Sequence, residues 1–186
     1  MTQIQTTTQA PLRTLGLKLS KRTLGYAVLK GNDLQLFGVH GFYGRSRRVR
    51  TREAAEFVMR LLAGFSPDVL AIDRPDKDAD DPAAPIRKRL LRLARTRELR
   101  VRPFTFDAMT RVLSKEPDAT RGDITATVVE WFPYLERYLR TDIRTAKVYW
   151  RKMLEAVALA CAARQEIEKR RVLRALRHTV QEPSAP

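Results

Sequence analysis

Arg45-Ser46-Arg47-Arg48-Val49-Arg50-Thr51-Arg52 places five arginines in eight residues with no acid among them, and Tyr43 stands just before the run. A guanidinium suits phosphate because its planar fork grips two oxygens, and a nearby aromatic ring can stack on an unpaired base. Arg45, Arg47, Arg48, Arg50 and Arg52 are therefore candidate phosphate contacts. Asp76, Asp78, Asp80 and Asp81, in the proline-bounded stretch DKDADDPAAP, and Asp142 offer hard oxygen ligands for a cation. Aspartates in a solvated loop more often serve turn formation and solubility. The lone Cys161 lies in an alanine-rich run and has no partner for a disulfide, and His40 and His178 are far apart. Zinc chemistry and a disulfide scaffold are thereby disfavoured.

The wider composition agrees with an anionic partner. Lys and Arg number 36 against 21 Asp and Glu, a formal charge of +15, while 44% of the residues are hydrophobic. That apolar content argues for a folded domain whose surface carries the charge and attracts phosphate polyanions, nucleic acid first. A chain of 186 residues buries about 70% of its unfolded surface in a single domain. Residues 1–12, uncharged and without apolar period, are expected to be a disordered tail, 13–180 one domain, and 181–186 a second disordered tail. With no apolar run near the roughly 20 residues of a membrane span and no leader-like N-terminus, a soluble cytoplasmic protein is expected, with no membrane partner.

The elements that position these groups can be read from periodicity. Leu15, Leu17 and Leu19 alternate, and 23–29 and 34–42 are two more strand-like runs, joined at Lys30-Gly31-Asn32-Asp33 by a hairpin signal. Thr51 is expected to cap a helix that ends near Gly64. Val69–Ile72, wholly apolar, reads as a strand buried on both faces. A helix over 86–97, a strand over 100–104, helices over about 106–114 and 124–132, and a long helix from about Thr145 to Arg177 follow. Arg87, Lys88, Arg89, Arg92, Arg95 and Arg97 are spread around their helix and are expected to be mostly solvated. Trp131, Phe132, Tyr134, Tyr138, Tyr149 and Trp150 are expected in the core, and Ile167, Val172, Leu173 and Leu176 imply a docked side of the last helix. The order predicts an α/β fold: an antiparallel meander plus two parallel strands in a mixed five-stranded sheet, flanked by helices.

Four segments carry a more specific likeness. Gly16-Leu17-Lys18-Leu19-Ser20-Lys21-Arg22-Thr23-Leu24-Gly25-Tyr26-Ala27-Val28-Leu29 resembles the first hairpin of RuvC-type Holliday-junction resolvases, with pattern G-I-D-P-G-x-R-x-x-G-Y-x-V-I. The segment 65–73, FSPDVLAID, is similar to that family's fourth strand; 117–128, PDATRGDITATV, resembles the entry to its penultimate helix; and 155–160, EAVALA, resembles the D-A-L-A-I-A of its last helix. The resemblance implies a ribonuclease H-like fold.

In the resolvases, four acidic positions hold two divalent ions for phosphodiester hydrolysis. The resemblance puts those positions at Lys18, Asp73, Lys152 and Glu155, so two of four are lysines. Carboxylate oxygens offset an ion's lost hydration, whereas ammonium groups repel it. Lys18 is expected to pair with Asp73, and Lys152 with Glu155 at spacing i, i+3. Arg111, Lys115 and Arg121 flank the loop that the resemblance turns toward the junction. The reading that follows is a RuvC-like binder of branched or structured DNA with a degenerate nuclease site, no cofactor, and a homodimer as the resemblance suggests. The alternatives are an active divergent endonuclease using Asp73 and Glu155 with magnesium or manganese, and a non-catalytic subunit that binds an acidic protein.

Overall fold

Alternation in the first strand decides which residues meet across the sheet. In a computed structural model that describes residues 10–75, 80–114, 116, 118–140 and 144–180, strands β1 (Arg13–Leu19), β2 (Thr23–Lys30) and β3 (Asp33–Gly41) form the meander. Strands β4 (Val69–Asp73) and β5 (Arg100–Phe104) extend the sheet in parallel with β1, giving the order β3-β2-β1-β4-β5. Every residue of β4 is buried, as its apolar run requires of a central parallel strand.

Six helices flank the sheet among the described residues: α1 (Arg47–Phe65), α2 (Ala84–Thr96), α3 (Phe106–Leu113), α4 (Arg121–Trp131), the short α5 (Glu136–Leu139) and the long α6 (Arg144–Val180). Leu15, Leu17, Leu19, Leu70 and Ile72 bury against α1 and α2. On the opposite face, Ala27, Leu29, Val69 and Ala71 pack with α3, α4 and the middle of α6. A strand's side chains alternate between faces, so Gly16 and Lys18 in β1 and Asp73 in β4 look toward α6.

Helix α6 lies unusually close to the sheet because glycine permits it. A Cβ on Gly16 would stand 2.1 Å from the Ala156 carbonyl oxygen, and one on Gly25 would stand 2.1 Å from that of Lys152. The facing run from Glu155 to Ala163 is almost entirely small or apolar and is buried throughout. Cys161 belongs to it, and burial pushes its thiol up to about 12. Its place is that of a small apolar side chain, and it stays protonated at neutral pH.

Several boundaries differ from the sequence expectation. Helix α1 starts before Thr51: Ser46 caps it, its side chain accepting from the Val49 N–H, so Arg47, Arg48 and Arg50 lie in the first helical turn. Helix α4 starts at Arg121 instead of Ile124, because Thr120 and Asp123 form a reciprocal capping box. At the far end of α6, Ile167 is buried, but Val172, Leu173 and Leu176 are exposed rather than docked. The aromatic group divides: Phe132 is buried and Tyr138 and Trp150 pack on the core, whereas Trp131 and Tyr134 are exposed. The two expected tails fall largely on residues 1–9 and 181–186, outside the described residues.

Candidate functional site

The ends of β1 and β4 and the middle of α6 converge on one charged cluster. Parallel pairing of β1 with β4 ends at Leu17 opposite Ile72. One residue further, the side chain of Asp73 takes over: its Oδ1 accepts from the Leu19 N–H at 3.0 Å. Lys18, on the same face, puts its Nζ 3.2 Å from Asp73 Oδ2 and 3.1 Å from Glu155 Oε2. The expected Lys18–Asp73 contact is present, and the lysine bridges the second acid as well.

The remaining oxygens are also engaged. Arg87, almost buried, donates from Nε to the Asp73 carbonyl at 2.9 Å, approaches Asp73 Oδ1 at 3.4 Å and bonds Asp81. This corrects the reading of Arg87 as a solvated helix residue. Arg121 places NH1 2.9 Å from Glu155 Oε1 and lays its guanidinium over the Phe106 ring, 4.6 Å from the centroid. All four carboxylate oxygens of Asp73 and Glu155 thus face N–H donors.

Lys152 departs from the expected pair with Glu155. Among the described residues its ammonium donates to Thr23 Oγ1 at 2.6 Å and Ser20 Oγ at 3.2 Å, on the tight turn between β1 and β2. Burial holds its pKa below the usual lysine value, Glu155 opposes that shift, and Lys18 and Arg151 reinforce it. Spacing i, i+3 puts Lys152 and Glu155 on one helix face, yet the Glu155 oxygens are taken by Lys18 and Arg121, and the Lys152 ammonium meets the two hydroxyls instead. The sequence S-K-R-T of the turn was the available signal for this site.

Around the cluster is a cleft of about 290 Å³, lined also by Arg74, Asp80, Thr105, Phe106 and Met109. Two divalent ions, the group that the resemblance implies, do not fit this donor set. Lys18 Nζ contacts both Asp73 and Glu155, the two carboxylates that would hold the ions, and no group of three or more His, Cys, Asp or Glu among the described residues could hold a metal. A carboxylate pair already neutralised by an ammonium and two guanidiniums offers little attraction to a further cation.

The basic candidates separate by location. Arg45, Arg47 and Arg48 are exposed, and exposed Arg52 lies 3.7 Å from Glu56. Arg50 is buried, its NH1 donating to the carbonyls of Gly44 at 3.0 Å and Arg45 at 2.8 Å. It braces the loop instead of facing solvent, a correction to its place among the phosphate contacts. Arg111 is exposed at the end of α3, and Arg121 is partly committed to Glu155. Lys115, Asp76, Asp78 and Asp142 lie outside the described residues, and Asp81 is engaged by Arg87.

No protein-family model matches the chain, and no curated protein matches it. Solved structures do. The chain superposes on Thermus thermophilus RuvC with a TM-score of 0.68 at 14% identity, covering 85% of this chain and 96% of that one. T. thermophilus RuvC in complex with Holliday junction substrate gives 0.65 at 15% identity, over 81% and 92%. The yeast mitochondrial Holliday junction resolvase Ydc2 gives 0.60 at 13% identity, over 84% and 79%. Together with the sheet order, these likenesses define the class: the chain has the mixed five-stranded, ribonuclease H-like fold of RuvC. Within that fold it is a form whose acidic cluster is bridged by lysine. No helix among the described residues is long and apolar enough to cross a membrane.

Proposed function

We propose that this chain binds branched or structured DNA through its basic surface and does not cut it by a two-metal route. The observation that carries the second half is Lys18, whose ammonium lies within 3.2 Å of both Asp73 and Glu155. The first half is supported by the RuvC-like fold together with the excess of positive charge and the exposed Arg45, Arg47 and Arg48. Binding of this kind is directed at the phosphate backbone, so its affinity falls steeply with salt. No cofactor is required by this reading, and a homodimer is the assembly it favours.

Gel shifts of a four-way junction, a duplex and a single strand across a salt series test the binding. Magnesium and manganese added to the same samples test cleavage. Junction cutting that disappears in Asp73→Asn would reject the non-nuclease reading in favour of a divergent endonuclease. A second reading, a subunit that binds an acidic protein, is favoured by one observation: exposed Val172, Leu173 and Leu176 lie among Lys169, Arg170, Arg174 and Arg177 on the end of α6.

A further inference from the structure

Tyr43 is 91% exposed, more than any other large apolar side chain among the described residues. A lone exposed ring is ordinary on a protein surface. What distinguishes this one is the backbone beneath it and the charge beside it. The preceding Phe42 is buried, and its N–H donates to the Arg22 carbonyl at 2.8 Å. The following Gly44 donates its N–H to Glu53 at 3.2 Å, and its carbonyl is held by the buried Arg50. Both neighbours of Tyr43 are therefore pinned. The phenol end of the ring crosses Gly41, where an added Cβ would stand 3.2 Å from the hydroxyl oxygen. The ring is displayed by a braced support.

The same Phe42–Arg22 hydrogen bond brings the turn between β1 and β2 beside the start of α1. Lys21 and Arg22 on one segment and Arg45, Arg47 and Arg48 on the other are all exposed, and neither 20–23 nor 43–52 contains an acid. Lys21 and Arg47 line a hollow of about 260 Å³ with Asp80, Asp81 and Pro82. Those last three residues also line the cleft around Lys18, so the surface runs on from the arginines toward the bridged carboxylates.

We propose that Tyr43 is a stacking platform for an unpaired DNA base, with the flanking phosphates held by Lys21, Arg45, Arg47 and Arg48. A rigid aromatic face among cations is the combination by which proteins hold single strands without reading sequence. A base inside a continuous duplex is already stacked on both sides and cannot use the ring. Tyr43 therefore selects DNA with unpaired nucleotides, as at a branch or a frayed end, over intact duplex. This selectivity rests on the DNA-binding reading above and adds to it the structural feature that is recognised.

The test is fluorescence anisotropy with a labelled 15-nucleotide oligothymidine and a duplex of equal length, for the unaltered protein, Tyr43→Ala and Tyr43→Phe. Because the side chain is exposed, each variant should fold, which thermal melting verifies. Loss of the ring is expected to weaken single-strand binding about ten-fold with duplex binding unchanged, while Tyr43→Phe retains the affinity. In Tyr43→Trp, the single strand should quench indole emission and the duplex should not. Equal binding of single strand by Tyr43→Ala and the unaltered protein overturns the stacking role but leaves DNA binding intact. Failure of the unaltered protein to bind either probe or a four-way junction overturns both.

Discussion

The ammonium of Lys18 lies 3.2 Å from the Asp73 carboxylate and, in the same position, 3.1 Å from Glu155. One lysine thereby does the electrostatic work of a bridging cation. Replacing it with Met leaves two nearly buried carboxylates with only Arg87 and Arg121 to compensate them. The site is partly open to solvent, so the expected destabilisation is about 2 kcal/mol, below the range for a fully buried pair. The sharper experiment restores charge instead of removing it. Lys18→Asp combined with Lys152→Asp adds two acids to Asp73 and Glu155 and removes both lysines, so the double variant should be less stable alone and gain several degrees in melting temperature when manganese is added. The unaltered protein should melt at the same temperature with and without the ion; a manganese-dependent rise there would contradict the neutralised site.

Gly16 faces the α6 backbone so closely that an alanine Cβ would meet the Ala156 carbonyl oxygen at 2.1 Å and the Ala160 nitrogen at 2.9 Å. Neither atom is the end of a flexible side chain, so the helix itself must move. Gly16→Ala is expected to cost about 3 kcal/mol, the upper part of the range for overpacking, read as a lower urea midpoint. Gly64→Ala is the control, since nothing lies within 4 Å of its added Cβ. Because the displaced helix carries Lys152 and Glu155, the variant should also lose the contacts that close the charged cluster.

Much of this arrangement was legible because burial in a sheet imposes a period of two. Leu15, Leu17 and Leu19 announce one face of β1, and by elimination Gly16 and Lys18 occupy the other; an apolar run ending in Asp73 announces a buried central strand with an acid at its tip. The capping box from Thr120 to Asp123 was also present as a local pattern, although the apolar period alone points to a later start at Ile124. The early start of α1 was hidden because three of the four residues in its first turn, Arg47, Arg48 and Arg50, are arginines, and Val49 alone sets no apolar period. Side-chain pairings between distant elements were harder still. Nothing near Arg87 in sequence marks it as the partner of Asp73, and spacing along α6 suggests Glu155 for Lys152, where the fold supplies Ser20 and Thr23.

Arg48 and Arg50 are two residues apart in one basic run, yet they should respond oppositely to replacement. Arg48 is exposed, whereas Arg50 is buried with its guanidinium donating to two carbonyls. Arg48→Ala should leave stability unchanged and lower the slope of log affinity against log salt by about 0.9 if it contacts one duplex phosphate. Arg50→Ala should cost about 1–3 kcal/mol by orphaning the Gly44 and Arg45 carbonyls. Paired measurements of denaturant midpoint and salt-dependent DNA binding separate the two effects; an Arg50 variant of normal stability would show that the loop does not need its brace.

His40 provides a test at the far end of the same support. Its ring stacks on Phe57 with centroids 4.0 Å apart and planes 2° from parallel. Burial lowers its pKa from the ordinary 6.5, Arg60 lowers it further, and Glu53 partly opposes them. Below that ordinary value the unfolded chain takes up a proton that the folded protein resists. The neutral ring's contribution to stability is therefore complete above 6.5 and is lost as the pH falls below it. Urea midpoints should decline between about pH 6.5 and pH 5. His40→Phe keeps an aromatic face against Phe57 and removes the titration, so its midpoint should fall less over that interval. An equal decline in both proteins would assign the acid sensitivity to other groups.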